Sequence, residues 1–240
     1  NLALMIDGAH VLTPGVLHFG MEGLRTYGPA IVATQQWYVG PGQQGELMAA
    51  GYDQAMEDGL FERIGWPAEG HRLFEIGHFI GERDWFDGLW ESNCLFTPRR
   101  LVEQSGGFDE IFAMPGGGYA NLDIYERLGS TPGVTVATIL GEGSFHQFHQ
   151  GTTTNQDEVE NRHRLISSYA EHYEAERGKT FTDAGKPIHY VGRLTTDANR
   201  TRSRRFVARG FWTPQSSEGR DGVPGEPQPM PQEVATAFTE

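Results

Sequence analysis

One cysteine, Cys94, stands in the whole chain, which excludes an intrachain disulfide framework and fits a reducing compartment, so a cytoplasmic location is expected. Its neighbours Asn93 and Leu95-Phe96 look like a buried strand, and no histidine lies near it in a motif. Cys94 therefore reads as core packing and not as a nucleophile. No run of about 18 apolar residues exists, which leaves no helix able to cross a bilayer. Internal repeats are absent as well. Basic residues are outnumbered, 19 Lys and Arg against 32 Asp and Glu. The resulting net charge of −13 argues against the chain as a whole binding nucleic acid, because most of its surface would repel phosphates. Neither an initiator methionine nor a charged leader precedes the first apolar stretch, and a fragment of a longer protein is expected.

What is present suits a globular domain. With 240 residues, 38% hydrophobic and 11% aromatic, the chain can bury a core of its own and carry a tail. Residues 1–6 form a continuously apolar run, the pattern of a strand buried on both faces, and 30–39 reads as a second strand. Pro14, with Thr13 as cap, opens a predicted helix toward Arg25. A loop over 40–51 and a helix over 52–64 follow, then an irregular stretch at 65–93 of the kind that is usually a functional loop. A short strand at 95–97, a helix from Pro98 to Gln104, a helix at 122–128, a strand at 134–140 and an amphipathic helix at 157–177 complete the pattern. Strands alternating with helices predict an α/β fold. Beyond Gly178, arginines cluster at Arg200, Arg202, Arg204 and Arg205, and 210–231 is rich in Pro and Gly. The division is accordingly 1–178 as the domain and 179–240 as an extended tail.

The chemistry-bearing residues fall in a definite order. Asp7 and His10 follow the first strand, where ligands of open α/β sheets bind. Gly106-Gly107-Phe108-Asp109-Glu110 comes next, then Gly116-Gly117-Gly118-Tyr119-Ala120-Asn121-Leu122-Asp123, and last His146 and His149 in a glycine-containing loop after the strand at 134–140. A glycine-rich turn lets backbone amides approach a polyhydroxylated ligand, and carboxylates beside it accept sugar hydroxyls or protons. In between, 83–93 mixes Trp85 and Trp90 with Asp87 and Glu91. Aromatic faces and carboxylates together suit a sugar ring, while two tryptophans at that spacing are as often core.

This order resembles the family-2 glycosyltransferases of the GT-A fold over about residues 1–155. The resemblance implies a mixed sheet flanked by helices, with the nucleotide-binding N-terminal half lying upstream of Asn1. It implies a nucleoside-diphosphate-sugar donor, a carbohydrate or glycolipid acceptor, and a Mn2+ or Mg2+ ion held by Asp7 and His10 with His146 or His149. In the family's acidic motif a second carboxylate stands where this chain has Ala9, so an imidazole is expected to replace it, which suits Mn2+ better than Mg2+. Gly116, Gly117, Gly118 and Asp7 are expected on the donor, and Trp85, Asp87 and Trp90 on the acceptor. Ala120 and Asn121 stand where the family places its acidic pair. The base is then Asp123, with Asn121 beside it and Glu91 in reserve; Asp123 alternatively orients donor hydroxyls or caps its helix, and Asp109 and Glu110 are expected to hold their loop. His10, His146 and His149 are alternatively loop histidines. Two other readings stand beside the transferase: an inactive sugar-nucleotide-binding module, and a two-histidine, one-carboxylate iron oxygenase built on Asp7, His10 and His146.

Overall fold

The computed structural model describes residues 1–6, 9–80, 85–86, 88–89, 91, 93–149 and 159–194. Asp7, Asp87, Trp90 and the arginine cluster beyond 194 lie outside these residues. The described chain is α/β, built on one mixed sheet flanked by helices.

Strand β3 (Ala30–Val39) is the axis of that sheet. Every one of its ten residues is buried, as a run of β-branched and aromatic side chains covered on both faces should be. It pairs in parallel with β6 (Thr135–His146) on one side. On the other it pairs antiparallel with β5 (Cys94–Thr97) along its first half and with β4 (Gly77–Phe79) along its second. Beyond β5 lies β1 (Leu2–Met5); beyond β6 lie β2 (His10–Leu12), antiparallel to its end, and β7 (Ile188–Gly192), parallel to its start. The alternation of β3 sends Ile31 and Ala33 to a face covered by α5 (Arg99–Ser105) and α6 (Ala120–Ser130), with Leu101, Ile124 and Leu128. Ala30 and Val32 point to the other face, under Val16 and Leu24 of α1 (Val16–Tyr27). A third cluster closes the carboxyl half of β3, where Trp37 packs against Phe74, Phe79, Trp85 and Phe145.

Several local expectations are corrected. Helix α1 starts at Val16, not at Pro14, and Thr13 does not cap it. Thr13 instead exchanges hydrogen bonds with Gly143: its Oγ1 accepts from the Gly143 amide at 2.9 Å, and its own amide donates to the Gly143 carbonyl at 3.1 Å. The cap comes from the sheet. Between Ile139 and Gly143, β6 carries Leu140, Gly141 and Glu142 that have no counterpart on β3, and this bulge presses the Glu142 carboxylate onto the Gly15 amide at 2.9 Å. A Cβ on residue 15 would stand 2.3 Å from Glu142 Oε1, so only glycine lets the carboxylate reach the helix start. A carboxylate there also meets the positive end of the helix dipole.

The 40–51 stretch is not all loop, since it contains α2 (Gln44–Ala49). Helix α3 (Gln54–Ile64) begins two residues later than expected because Asp53 accepts the Met56 amide and stops it there. The sheet also continues past Gly178: after α7 (Val159–Arg177), β7 adds a strand, and Lys186 donates to the carbonyls of Thr131 and Val134. Cys94 is fully buried, and desolvation pushes its thiol up to about 12. Among the described residues no helix is long and apolar enough to cross a membrane.

Candidate functional site

The sheet topology gathers chain ends at one edge. Strands β3 and β6 run in parallel, so their carboxyl ends lie together at His146 opposite Tyr38. Antiparallel β5 enters from that same edge, and β1 leaves toward it, with the Ile6 amide donating to Asn93. Asn93 also accepts from Gln36 Nε2, which fixes the start of β5 beside the second half of β3. This carboxyl edge is where open α/β sheets bind ligands.

Three of the predicted metal ligands meet there. His10 and His146 face each other as a cross-strand pair of β2 and β6, with ring centroids 4.9 Å apart and planes at 77°. His149 folds back so that its Nε2 lies 2.9 Å from His146 Nε2. One ring donates its N–H to the lone pair of the other, so the two imidazoles hold one proton between them. His146 thus belongs to the last position of β6 and not to the loop after it, where the sequence had placed it. The strap after β6 is tied at three points. The Gln147 amide donates to the Ala9 carbonyl at 2.8 Å, Gln44 Nε2 donates to the Gln147 carbonyl at 3.1 Å, and the Phe148 amide donates to Glu57 Oε2 at 2.7 Å. Glu57 is fully buried. Desolvation, reinforced by Asp58 and opposed by the Phe148 hydrogen bond, pushes its carboxyl up to about 7. Tyr52, next to it, is raised by burial first and by Glu57 second.

The 2.9 Å between the two Nε2 atoms is the length of that hydrogen bond, and an ion bound by both nitrogens would take the place of the proton between them. Imidazoles without a crowd of carboxylates suit a first-row transition ion over Mg2+. Among the described residues no group of three His, Cys, Asp or Glu side chains converges as a complete ligand set, and Asp7, the carboxylate expected to add to the pair, lies outside them.

On the other side of β3, two of the predicted catalytic residues also meet. Asn121, in the first turn of α6, donates from Nδ2 to Glu91 Oε2 at 2.6 Å. Tyr119 stands by them, its hydroxyl raised by burial and then by the Glu91 charge. Just before α6, Gly116, Gly117 and Gly118 have φ of 79°, 82° and 53°, a left-handed path that side chains rarely adopt. Tyr169 of α7 fastens this turn by donating to the Pro115 carbonyl.

Asp123 sits elsewhere and does something else. It is 1% exposed, with Oδ2 accepting from Arg127 Nε at 2.7 Å and Oδ1 from Arg177 Nε at 2.8 Å. Arg127 continues to the carbonyls of Ser105 and Gly107, and Arg177 to Asp109 Oδ2. One buried carboxylate thus joins α6, α7 and the Gly106-Gly107 turn. Asp109 accepts the Ile111 amide as well, in keeping with the loop-holding expectation. Trp85 is fully buried against Trp37, Phe74 and Phe79; it offers no open face to an acceptor, and its role is packing.

Sequence reasoning passed over Glu57, Gln44, Glu142 and Arg177. For Glu57 a signal existed, because it occupies the stripe otherwise formed by Leu60, Phe61 and Ile64, and a carboxylate on an apolar helix stripe is rarely accidental. A carboxylate–imidazole contact, His71 Nε2 to Glu142 Oε1 at 2.9 Å, lies at the start of α1. Comparison with known proteins finds no matching family model, no similar curated protein and no similar solved structure.

Proposed function

We propose that this chain is a glycosyltransferase domain of GT-A type, moving a sugar from a nucleoside-diphosphate-sugar donor to an acceptor hydroxyl with a divalent transition ion, in cytoplasmic polysaccharide or glycolipid synthesis. The observation that carries the reading is the imidazole pair His146–His149, set against His10 at the carboxyl edge of the parallel strands. His146 and His149 would hold the ion with Asp7, and Mn2+ suits them better than Mg2+. A bound ion would supply charge neutralisation to a diphosphate leaving group.

The chain's own residues divide the remaining work. The left-handed turn Gly116 to Gly118 leaves backbone without side chains beside the donor sugar. Glu91 is the base for the acceptor hydroxyl, oriented by Asn121. Asp123, which the sequence put first for that role, holds the arginine clamp instead.

The test incubates the chain with a panel of nucleoside-diphosphate sugars in Mn2+ or in EDTA and follows release of nucleoside diphosphate. Turnover of one donor, abolished by EDTA and by His146→Ala, is the expected result. Turnover that survives both contradicts the reading. Donor binding without turnover, with Ala120 and Asn121 standing where an acidic pair is expected, favours the inactive sugar-nucleotide-binding module.

A further inference from the structure

We propose that Gln44 and Glu57 are positioning residues that set the approach of His149 to His146 by gripping the single peptide unit between Gln147 and Phe148 from both of its sides. The carbonyl of that peptide accepts from Gln44 Nε2 and its N–H donates to Glu57 Oε2. A trans peptide points these two groups in opposite directions, so the grips oppose each other and fix the plane. The residue before it starts from the end of β6, and the Gln147 amide is tied to Ala9. With plane and origin fixed, His149 has one short path, and it brings its Nε2 to His146.

The price in stability argues that the grip is there for orientation. Gln44 and Glu57 are both fully buried, and Gln44 Oε1 and Glu57 Oε1 have no hydrogen-bond partner among the described residues. Each such buried acceptor is unfavourable. On the α3 stripe with Leu60, Phe61 and Ile64 an apolar side chain would hold the helix better. A polar pair kept at such a place serves the peptide it touches. The purpose of the grip rests on reading the histidines as a cation site; the grip itself does not.

The experiment uses the chain stripped of metal and labelled with 15N-histidine. The proton shared by His146 and His149 gives a scalar coupling between the two Nε2 atoms. Wild type and Glu57→Gln, whose amide oxygen still accepts the Phe148 N–H, are expected to show it, and Glu57→Leu and Gln44→Leu to lose it. Because Glu57→Leu is expected to fold at least as stably as wild type by denaturant titration, loss of coupling there separates positioning from folding. Titration with Co2+ is then expected to show ~10-fold or greater weakening in Glu57→Leu and near wild-type affinity in Glu57→Gln. Coupling preserved in Glu57→Leu and Gln44→Leu, or absent from wild type, overturns the proposal. Coupling that depends on the grip, in a wild type that binds no Co2+, upholds the grip and removes the cation reading alone.

Discussion

Asp123 shows how far a residue's surroundings decide its chemistry. Two guanidiniums hold its oxygens, and hydrogen bonding to Asp123 in turn holds the Arg177 proton more firmly than usual. Removing it leaves both arginines facing a buried void, so Asp123→Ala is expected to cost about 3 kcal/mol in urea unfolding; a loss under about 1 kcal/mol would mean the clamp is ornamental. Glu142→Ala, which uncaps α1, is expected to cost about 1 to 2 kcal/mol by the same measurement. Glu57 makes a pH prediction. Its folded carboxyl titrates at about 7, above the ordinary 4.5, so the native state binds the proton more tightly than the unfolded state between those values. Stability is therefore fully supported below about 4.5 and declines as pH rises to about 7, by up to about 3 kcal/mol. Glu57→Gln has nothing to titrate, and its stability relative to wild type is expected to climb across that window. A flat difference between the two proteins would contradict the raised carboxyl. Of the residues singled out in the sequence, His10 and His149 both lie against His146, and Asn121 donates to Glu91. Which carboxylate meets an arginine was not legible, because it depends on how α6 and α7 pack, and one-dimensional spacing does not carry that.

Elements were read most reliably where composition alone decides them. The run from Ala30 to Val39 is mostly β-branched and aromatic, lies between Pro29 and Gly40, and is a strand over those same residues. Boundaries moved where a distant residue intervenes. Helix α1 begins at Val16 because Glu142 caps it from 127 positions away, and β6 runs on to His146 because β2 and β3 pair with its far half. Short α2 was missed for a related reason: a six-residue helix has little periodicity, and Gln44 and Leu47 are buried by neighbours that the local sequence does not show. The tail beyond Gly178 was judged by its clustered arginines and its Pro and Gly content further on, yet Ile188–Gly192 pairs with β6 as a strand. A chain ending at residue 178 is thus expected to melt several degrees lower than one ending at 194, since it loses β7 and the two Lys186 hydrogen bonds. Equal melting temperatures would show that β7 adds nothing to the sheet.

At the scale of the whole molecule, the arrangement turns on β3 and β6 running in parallel while β1, β2, β4 and β5 run against their neighbours. That mixture brings the exit of β1, the entry to β5 and the end of β6 to one edge, with an imidazole cluster on one side of β3 and the Glu91–Asn121 pair on the other. The α/β class was legible from strands alternating with helices, and the mixed sheet flanked by helices that the resemblance implied is found; which strands run antiparallel was not legible, because a strand's own residues do not record the direction of its neighbours. The central claim is that this edge binds a divalent transition ion through its histidines. Calorimetric titration of Mn2+ into the metal-stripped chain measures it most directly. The account predicts one bound ion in wild type and at least ~10-fold weaker binding in His146→Ala; equal affinity in the two proteins, or no binding by wild type, contradicts it.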